Sequence, residues 1–350
     1  MTATPPPRDP DGGPEVDAVA IAGLLAEPDR RFVVSSHRNP DGDALGSMVG
    51  LARALRAAGR DVVMWHQDDN PVPAELGFLL APGEHILSEL PADVMARTML
   101  AVDCATADRL ASGSPRDLAQ IVVNIDHHHD NTRFGDLNLV DGEASSSAEM
   151  VARVLDAAHL PLTREVAVPL YVGLVTDTGR FGYSNTTRRA HELAARLIDT
   201  GIDLPSITRC LFEEQPLSQV LLTGRALAAA RPLLSGRLMV ALLGPEDFRV
   251  TGATKGDTEG IVEMLRAVQG AEVAALIRES GHGDDHGELR ISLRSASDRV
   301  DVSVLARAGG GGGHRAAAGF SSSRPTEDLI TWLADEVGAQ LDAAGSAEAE

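Results

Sequence analysis

The sequence predicts an α/β protein in which a parallel, doubly wound sheet domain is joined by a helical linker to a smaller α/β domain. Three observations predict it. Short apolar runs that read as buried strands alternate with stretches of helical period in the first half, a second set of strand-like runs begins after residue 235, and a mostly helical stretch with Pro205, Pro216 and Pro232 separates the two sets. A length of 350 residues suits two domains at roughly 100 to 200 residues each. The expected layout is a disordered Pro-rich lead over 1–14, a first domain over 15–200, a linker over 201–234 and a second domain over 235–345.

Along the chain, EVDAVAIAGLLAE reads as a short helix and RFVVSSH as a buried strand. Asp43 then stands before ALGSMVGLARALRAAG, whose Leu45, Met48, Val49, Ala52 and Leu55 recur at helical spacing and which Gly59 can close. DVVMWH, TMLAVD and IVVNID follow as strands, the last two ending on aspartate. SSSAEMVARVLDAAHL carries a capping box between Ser146 and Glu149, and TREVAVPLYVGLVTDTG reads as a helix ending near Asp177. In the second half RLMVALLG, EVAALIRES and GELRISLRS are expected strands, with helices around Ile261–Val268 and Leu329–Leu341.

Composition narrows the function. A net charge of -20 disfavours long nucleic acids, which are held mostly by Lys and Arg neutralising phosphates. Lys255 is the only lysine, and no polybasic run serves a membrane surface. With no apolar run long enough to span a bilayer and no apolar signal core, the expected location is the cytoplasm. Cys104 and Cys210 form no C-x-x-C pair; a catalytic role for Cys104 is disfavoured because the neighbouring carboxylate of Asp103 raises a thiol pKa.

The strongest local signal is HRNPDGD, which puts His37, Asp41 and Asp43 within seven residues on a turn between a strand and a helix. Mixed imidazole and carboxylate donors suit a divalent cation such as manganese, iron, cobalt or zinc. Gly42 is expected to let the chain turn sharply between the two carboxylates. An isolated D-G-D would read as a cap and a turn, but a histidine precedes this one. Asp103 and Asp126 end successive strands, and His127, His128 and His129 follow; the carboxyl ends of neighbouring parallel strands converge in space. Asp177 ends an apolar helix, where burial and the helix dipole both disfavour a carboxylate unless a cation is near.

HRNPDGDA, the VD at Asp103, the DHH at Asp126–His128 and TDTGRF at Asp177 resemble, in order, the four motifs of the DHH phosphoesterases. GGGGGHRAAAGF, preceded by a strand ending in Arg294 and Ser295, resembles the glycine-and-histidine motif of that family's DHHA-type second domain. Within the family the pattern is similar to the compact type that hydrolyses short oligoribonucleotides (nanoRNA) and 3'-phosphoadenosine-5'-phosphate (pAp), and that acts on linear dinucleotides such as pApA formed in cyclic di-AMP turnover. The resemblance implies two divalent cations, manganese first with magnesium or cobalt as alternatives, short nucleotides as substrates, and a homodimer as a reasonable assembly. It implies that His37 and Asp41 hold one cation, that Asp43, His127 and Asp177 hold the other, that Asp103 bridges both, and that His128 contacts a phosphoryl oxygen or assists the leaving group. The implied attack on phosphorus is by water activated between the cations. A family II-like inorganic pyrophosphatase is the runner-up, and a catalytically silent nucleotide-binding module is the reading from another class.

Beside the resemblance, the glycine run reads as a phosphate cradle. The backbone N–H groups at Gly312 and Gly313 form the nest, and His314 and Arg294 supply charged donors. Arg278 is a further candidate, and Asp126 is expected to orient its neighbours. Phe181 and Tyr183 are candidates for base stacking, with core packing as the competing role.

Overall fold

In a computed structural model that describes residues 13–67, 72–111, 118–279 and 288–347, the chain divides into two compact units, Met1–Glu214 and Gln215–Glu350. The expected disordered lead lies almost entirely outside the described residues.

The first unit runs α1 (Ala18–Ala26), β1 (Phe32–Ser35), α2 (Gly42–Ala57), β2 (Val62–Met64), β3 (Thr98–Val102), α3 (Ala107–Leu110), β4 (Ile121–Asp126), β5 (Leu137–Val140), α4 (Ser147–Ala157), α5 (Arg164–Asp177), α6 (Arg188–Asp199) and α7 (Leu204–Thr208). The strands form one sheet in the order β2-β1-β3-β4-β5, and every described pairing is parallel. This is a doubly wound α/β sheet, as the alternating pattern predicts, with its topological switch between β1 and β3. Alternate residues serve opposite cores. Phe32, Val34, Leu100, Val102, Val123 and Ile125 face helices α1, α2, α4 and α5, whereas Val33, Met99, Ala101 and Val122 face Trp65, Cys104 and Leu110 on the other side.

The second unit runs α8 (Leu217–Ala228), β6 (Arg231–Leu233), β7 (Leu238–Leu243), α9 (Pro245–Thr251), α10 (Ile261–Arg266), β8 (Val273–Glu279), β9 (Leu289–Ser295), α11 (Val302–Ala308), β10 (Gly312–His314), β11 (Ala317–Ser322) and α12 (Thr326–Ala347). Its sheet has the order β10-β11-β9-β8-β7-β6 and is antiparallel except where β7 meets β8. One face packs on residues of α11 and α12, and the opposite face, on β7 and β8, packs on α8 and α10. The stretch 201–234, expected to link the units, is shared between them. Ile207 of α7 and the partly buried Leu211 and Phe212 join the first core, while Leu222 and Ala226 of α8 join the second.

Two local expectations are corrected. The cap of α2 is Asp41, two residues earlier than expected, because the carboxylate of Asp41 accepts from the N–H groups of Asp43 and Ala44, both at 3.0 Å. Gly42 is not among the residues of positive φ; it is the first residue of α2, and a Cβ there would stand 2.4 Å from Thr176 Oγ1 on α5. Its small size serves helix packing, not a turn.

Gly42, Gly46 and Gly50 form the strip along which α2 meets α5. A Cβ on Gly46 would lie 2.3 Å from the Pro169 carbonyl oxygen and 2.8 Å from the Gly173 nitrogen, both backbone atoms that cannot swing aside. Gly46→Ala is therefore expected to destabilise the protein by about 1–3 kcal/mol in urea denaturation. Gly23→Ala, at an exposed position of α1 with nothing within 4 Å, is expected to stabilise it by about 0.5–1 kcal/mol.

Candidate metal centre

The carboxyl edge of the first sheet gathers the titratable residues. His37 follows β1, Asp103 follows β3, Asp126 ends β4 with His127 and His128 directly after it, and α2 and α5 deliver Asp41, Asp43 and Asp177 to the same edge. Two donor groups, His37/Asp41/Asp103 and Asp43/His127/Asp177, each have ligand atoms within 4.8 Å of one another. Asp103 also groups with His127 and His128.

Asp103 stands between the groups. Its Oδ2 is 3.4 Å from His37 Nε2, and its Oδ1 is 3.6 Å from His127 Nε2. A φ of +54°, unusual for a residue other than glycine, turns the chain immediately after β3, and Ser147 Oγ donates to Oδ1 at 3.0 Å. Asp41 divides its two oxygens: Oδ1 caps α2, and Oδ2 lies 3.9 Å from His37 Nε2. Cap and ligand are compatible roles for one carboxylate. His37 Nδ1 faces the Arg38 carbonyl at 2.8 Å, which can only accept, so Nδ1 carries the proton and a neutral ring keeps the Nε2 lone pair for a cation. His66 Nε2 likewise donates to the His37 carbonyl at 2.6 Å.

Asp43 is fully buried. Its Oδ2 accepts from Ser147 N at 2.6 Å and its Oδ1 from Ala148 N at 2.9 Å and Ser47 Oγ at 3.2 Å, so the first two N–H groups of α4 close on it. Burial, followed by the charges of Asp103, Asp177 and Asp41, nevertheless pushes its pKa well above the ordinary value. Asp177 is raised to about 6, again by burial first and despite His127 nearby at 3.5 Å. Asp103 goes the other way: burial would raise it, but the hydrogen bond and charge of His37, followed by His127, hold it at about 2. Burial lowers the His37 pKa, but contacts with Asp103 outweigh it and leave the value raised. Three converging carboxylates under strain from mutual repulsion, with imidazole nitrogens interleaved at 3.4 to 3.9 Å, are the donor set that a pair of divalent cations fits.

Behind this edge, Asp126 is completely buried. Its Oδ1 accepts from His128 Nδ1 at 2.9 Å and its Oδ2 from Asn131 Nδ2 at 2.5 Å. The bond to His128, against burial, raises that imidazole to about 9 in the metal-free site. Asn131 also binds the Asn124 side chain and the Cys104 carbonyl, tying β4 to the turn after β3. Asn185 Nδ2 bridges the Ser145 carbonyl and Asp177. Glu149 does not complete the expected capping box: Ser146 Oγ accepts from Glu149 N, but the Glu149 carboxylate turns to Ser145, receiving its N–H and hydroxyl. Ser147, Asn131 and Asn185 are not evident in the sequence, because an isolated polar residue in a turn has no period to flag it. Cys104 is buried and its thiol is pushed up, first by burial and then by Asp126, as expected of an inert thiol.

The remaining sequence candidates are placed as follows. Phe181 stacks on His191 at 4.9 Å between ring centres and packs on the core, whereas Tyr183 is exposed. In the second unit, Gly312, Gly313 and His314 form β10, and by register His314 and Arg294 flank Ala317 on one face of the sheet. Arg294 Nε donates to Glu263 on α10 at 2.8 Å. Arg278 donates to Thr258 and Ser292. Ser295 is not brought to this face. Alternation puts it on the core side of β9 with the buried Ile291 and Leu293, where its hydroxyl donates to the Ser297 carbonyl at 2.7 Å.

With the geometry in place, comparison with known proteins gives a consistent result. Residues 31–174 match the DHH family, N-terminal domain, and residues 238–341 match the DHHA1 domain. The chain is 35% identical over 301 residues to the bifunctional oligoribonuclease and PAP phosphatase NrnA of Thermus thermophilus, a match covering 85% of this chain and 86% of that protein. It is 28% identical over 306 residues to a probable bifunctional oligoribonuclease and PAP phosphatase NrnA of Streptococcus mutans, covering 83% and 89%. Among solved structures, an exopolyphosphatase-related protein from Bacteroides fragilis shares the fold with a TM-score of 0.81 at 23% identity, covering 94% of this chain and 97% of that one.

The crowding of carboxylates makes a prediction about the metal-free protein. A carboxylate whose native pKa is raised destabilises the fold once the pH exceeds its unfolded value, and the penalty is complete above the native value. For Asp177 that window runs from 3.8 to about 6. In chelator-treated protein, Asp177→Asn is therefore expected to melt above the wild type at pH ~7.5 and level with it below pH ~4. Manganese should raise the melting temperature of the wild type by more than that of the variant; equal shifts would exclude Asp177 from cation binding.

Proposed function

The chain belongs to the DHH family of phosphoesterases, and from that premise we propose that it is a hydrolase of short oligoribonucleotides, releasing mononucleotides, and of pAp, releasing AMP. One observation carries the reading: the two oxygens of Asp103 face two separate donor groups, which lets one carboxylate serve two cations. His37 and Asp41 hold one cation, Asp43, His127 and Asp177 hold the other, and Asp103 serves both. Manganese is the favoured metal, since the donors mix imidazole with carboxylate. Two bound cations lower the pKa of a water and neutralise charge developing on the phosphoryl oxygens.

The chain's own groups supply position and charge. The α4 amino end fixes Asp43, Ser147 fixes Asp103, and Asn185 restrains Asp177. Asp126 accepts from His128 Nδ1, which leaves Nε2 to donate to a phosphoryl oxygen or to the departing oxygen. Similarity to the oligoribonuclease and PAP phosphatase of Thermus thermophilus over 85% of this chain supports the choice of substrates. The net charge of -20 supports short nucleotides over long strands.

The test is product analysis after metal-stripped protein, restored with manganese, meets pAp, pApA, cyclic di-AMP and pyrophosphate. AMP is expected from pAp and pApA, and Asp103→Ala should abolish it; turnover of pyrophosphate alone would replace this reading with the pyrophosphatase. Asn131→Ala, which frees Asp126 and so His128, is expected to lower kcat by about tenfold or more with a smaller change in KM. An unchanged kcat would remove His128 orientation from the mechanism.

A further inference from the structure

The contacts that hold Asp43 and Asp177 converge on Ser145. This residue immediately precedes Ser146, the cap of α4, and its carbonyl accepts from Asn185 Nδ2 at 2.9 Å, the same amide that reaches Asp177. Its N–H and hydroxyl are both held by Glu149 Oε2, at 3.0 and 2.7 Å. Glu149 is 2% exposed, and a buried carboxylate is costly unless it is paired. The pairing comes from α6. Arg189 Nε lies 2.9 Å from Glu149 Oε1, and Arg189 Nη2 donates to the Glu143 carbonyl at 2.8 Å in the turn before α4.

Helix α4 does not need this pair for its own cap, since Ser146 Oγ already accepts from Glu149 N at 3.1 Å. What the pair fixes is the stretch from Glu143 to Ser145, and with it the start of α4. From there Ser147 N and Ala148 N hold Asp43, Ser147 Oγ holds Asp103, and Asn185 ties Ser145 to Asp177. Three carboxylates that repel one another are therefore referred to one buried ion pair. His37 and Asp41 are held differently, by the Arg38 carbonyl and by the first N–H groups of α2, neither of which belongs to α4 or α6.

We propose that Glu149 and Arg189 are positioning residues for the cation of the Asp43/His127/Asp177 group. Neither belongs to a donor group; they set the frame on which two of that group's carboxylates stand, and so set its affinity for metal without setting that of the His37/Asp41 side. The inference rests on the proposed two-cation centre and adds to it a pair of residues that control one of the two cations.

Manganese uptake by chelator-treated, full-length protein tests it, with free Mn2+ counted by its paramagnetic resonance signal well below the melting temperature. Asp41→Asn weakens the first donor group while leaving an asparagine that still caps α2, and Asp177→Asn weakens the second. Glu149→Gln is expected to weaken uptake about tenfold in the Asp41→Asn background and to leave it within about twofold in the Asp177→Asn background. Arg189→Gln, a change at a half-exposed side chain that folding tolerates, should act in the same direction, and Arg188→Gln, next to it on α6 but paired with exposed Glu192, should change nothing. Equal losses in the two backgrounds, uptake within about twofold throughout, or a loss in Arg188→Gln as large as that in Arg189→Gln would overturn the inference. In the otherwise wild-type protein, raising manganese should restore the kcat of Glu149→Gln on pAp, and a kcat that no manganese concentration restores would also overturn it. If the wild type fails to hydrolyse pAp, the proposed substrates fall, while the manganese counts still decide the role of Glu149 and Arg189.

Discussion

The carboxylate of Asp43, held by the first two N–H groups of α4, is the interaction on which the rest of the candidate metal centre depends. It joins the start of α2 to the start of α4 through bonds of 2.6 and 2.9 Å, deep enough that water cannot substitute. Those donors are free because the amino end of a helix leaves its first N–H groups unpaired, and its dipole favours the negative charge. The approach needs room. A Cβ on Gly173 of α5 would stand 2.6 Å from Asp43 Oδ1, so the glycine keeps open the space the carboxylate occupies. The same helix end reaches Asp103 through Ser147 Oγ, and one helix terminus thereby sets two of the acidic groups.

Fixing carboxylates close together stores electrostatic repulsion, and the fold accepts it at this edge. The sheet supplies the reason the groups meet at all, since β1, β3 and β4 are parallel neighbours whose carboxyl ends open on one side of the switch between β1 and β3. Asp103 adds backbone strain through its positive φ. Strain and repulsion together describe a site organised for a positively charged occupant. Behind it, the buried chain Asn131–Asp126–His128 fixes a donor beside the cluster without placing it among the three residues of either main donor group.

Much of this is legible in the sequence for a simple reason. Apolar strands that end on aspartate, and a helix that ends on aspartate, announce their geometry, because strand ends and helix ends have known directions. Asp103, Asp126 and Asp177 stand out on that ground, the HRNPDGD turn marks His37, Asp41 and Asp43, and the choice of His127 among three histidines is what the resemblance to the DHH phosphoesterases implies. The less legible features depend on what packs against what. Asp43 has the sequence context of the α2 cap, but Asp41 caps it, since capping is decided by which carboxylate reaches two N–H groups. Ser295 sits one residue from Arg294 and so falls on the other face of β9, a parity that a motif does not encode. Strand β10 and the start of β11 give little strand signal because they are built from glycine and alanine. They form where the glycine run closes against Phe320, and a Cβ on Gly309 would lie 2.3 Å from that ring. Asn131 and Ser147 gain their roles only from contacts made far along the chain.

Two cations sharing Asp103 at this edge are tested most directly by anomalous diffraction from crystals soaked in manganese. Two peaks are expected, one beside His37 and Asp41 and one beside Asp43, His127 and Asp177, with an oxygen of Asp103 on each. A single peak, or peaks away from Asp103, would contradict the shared centre.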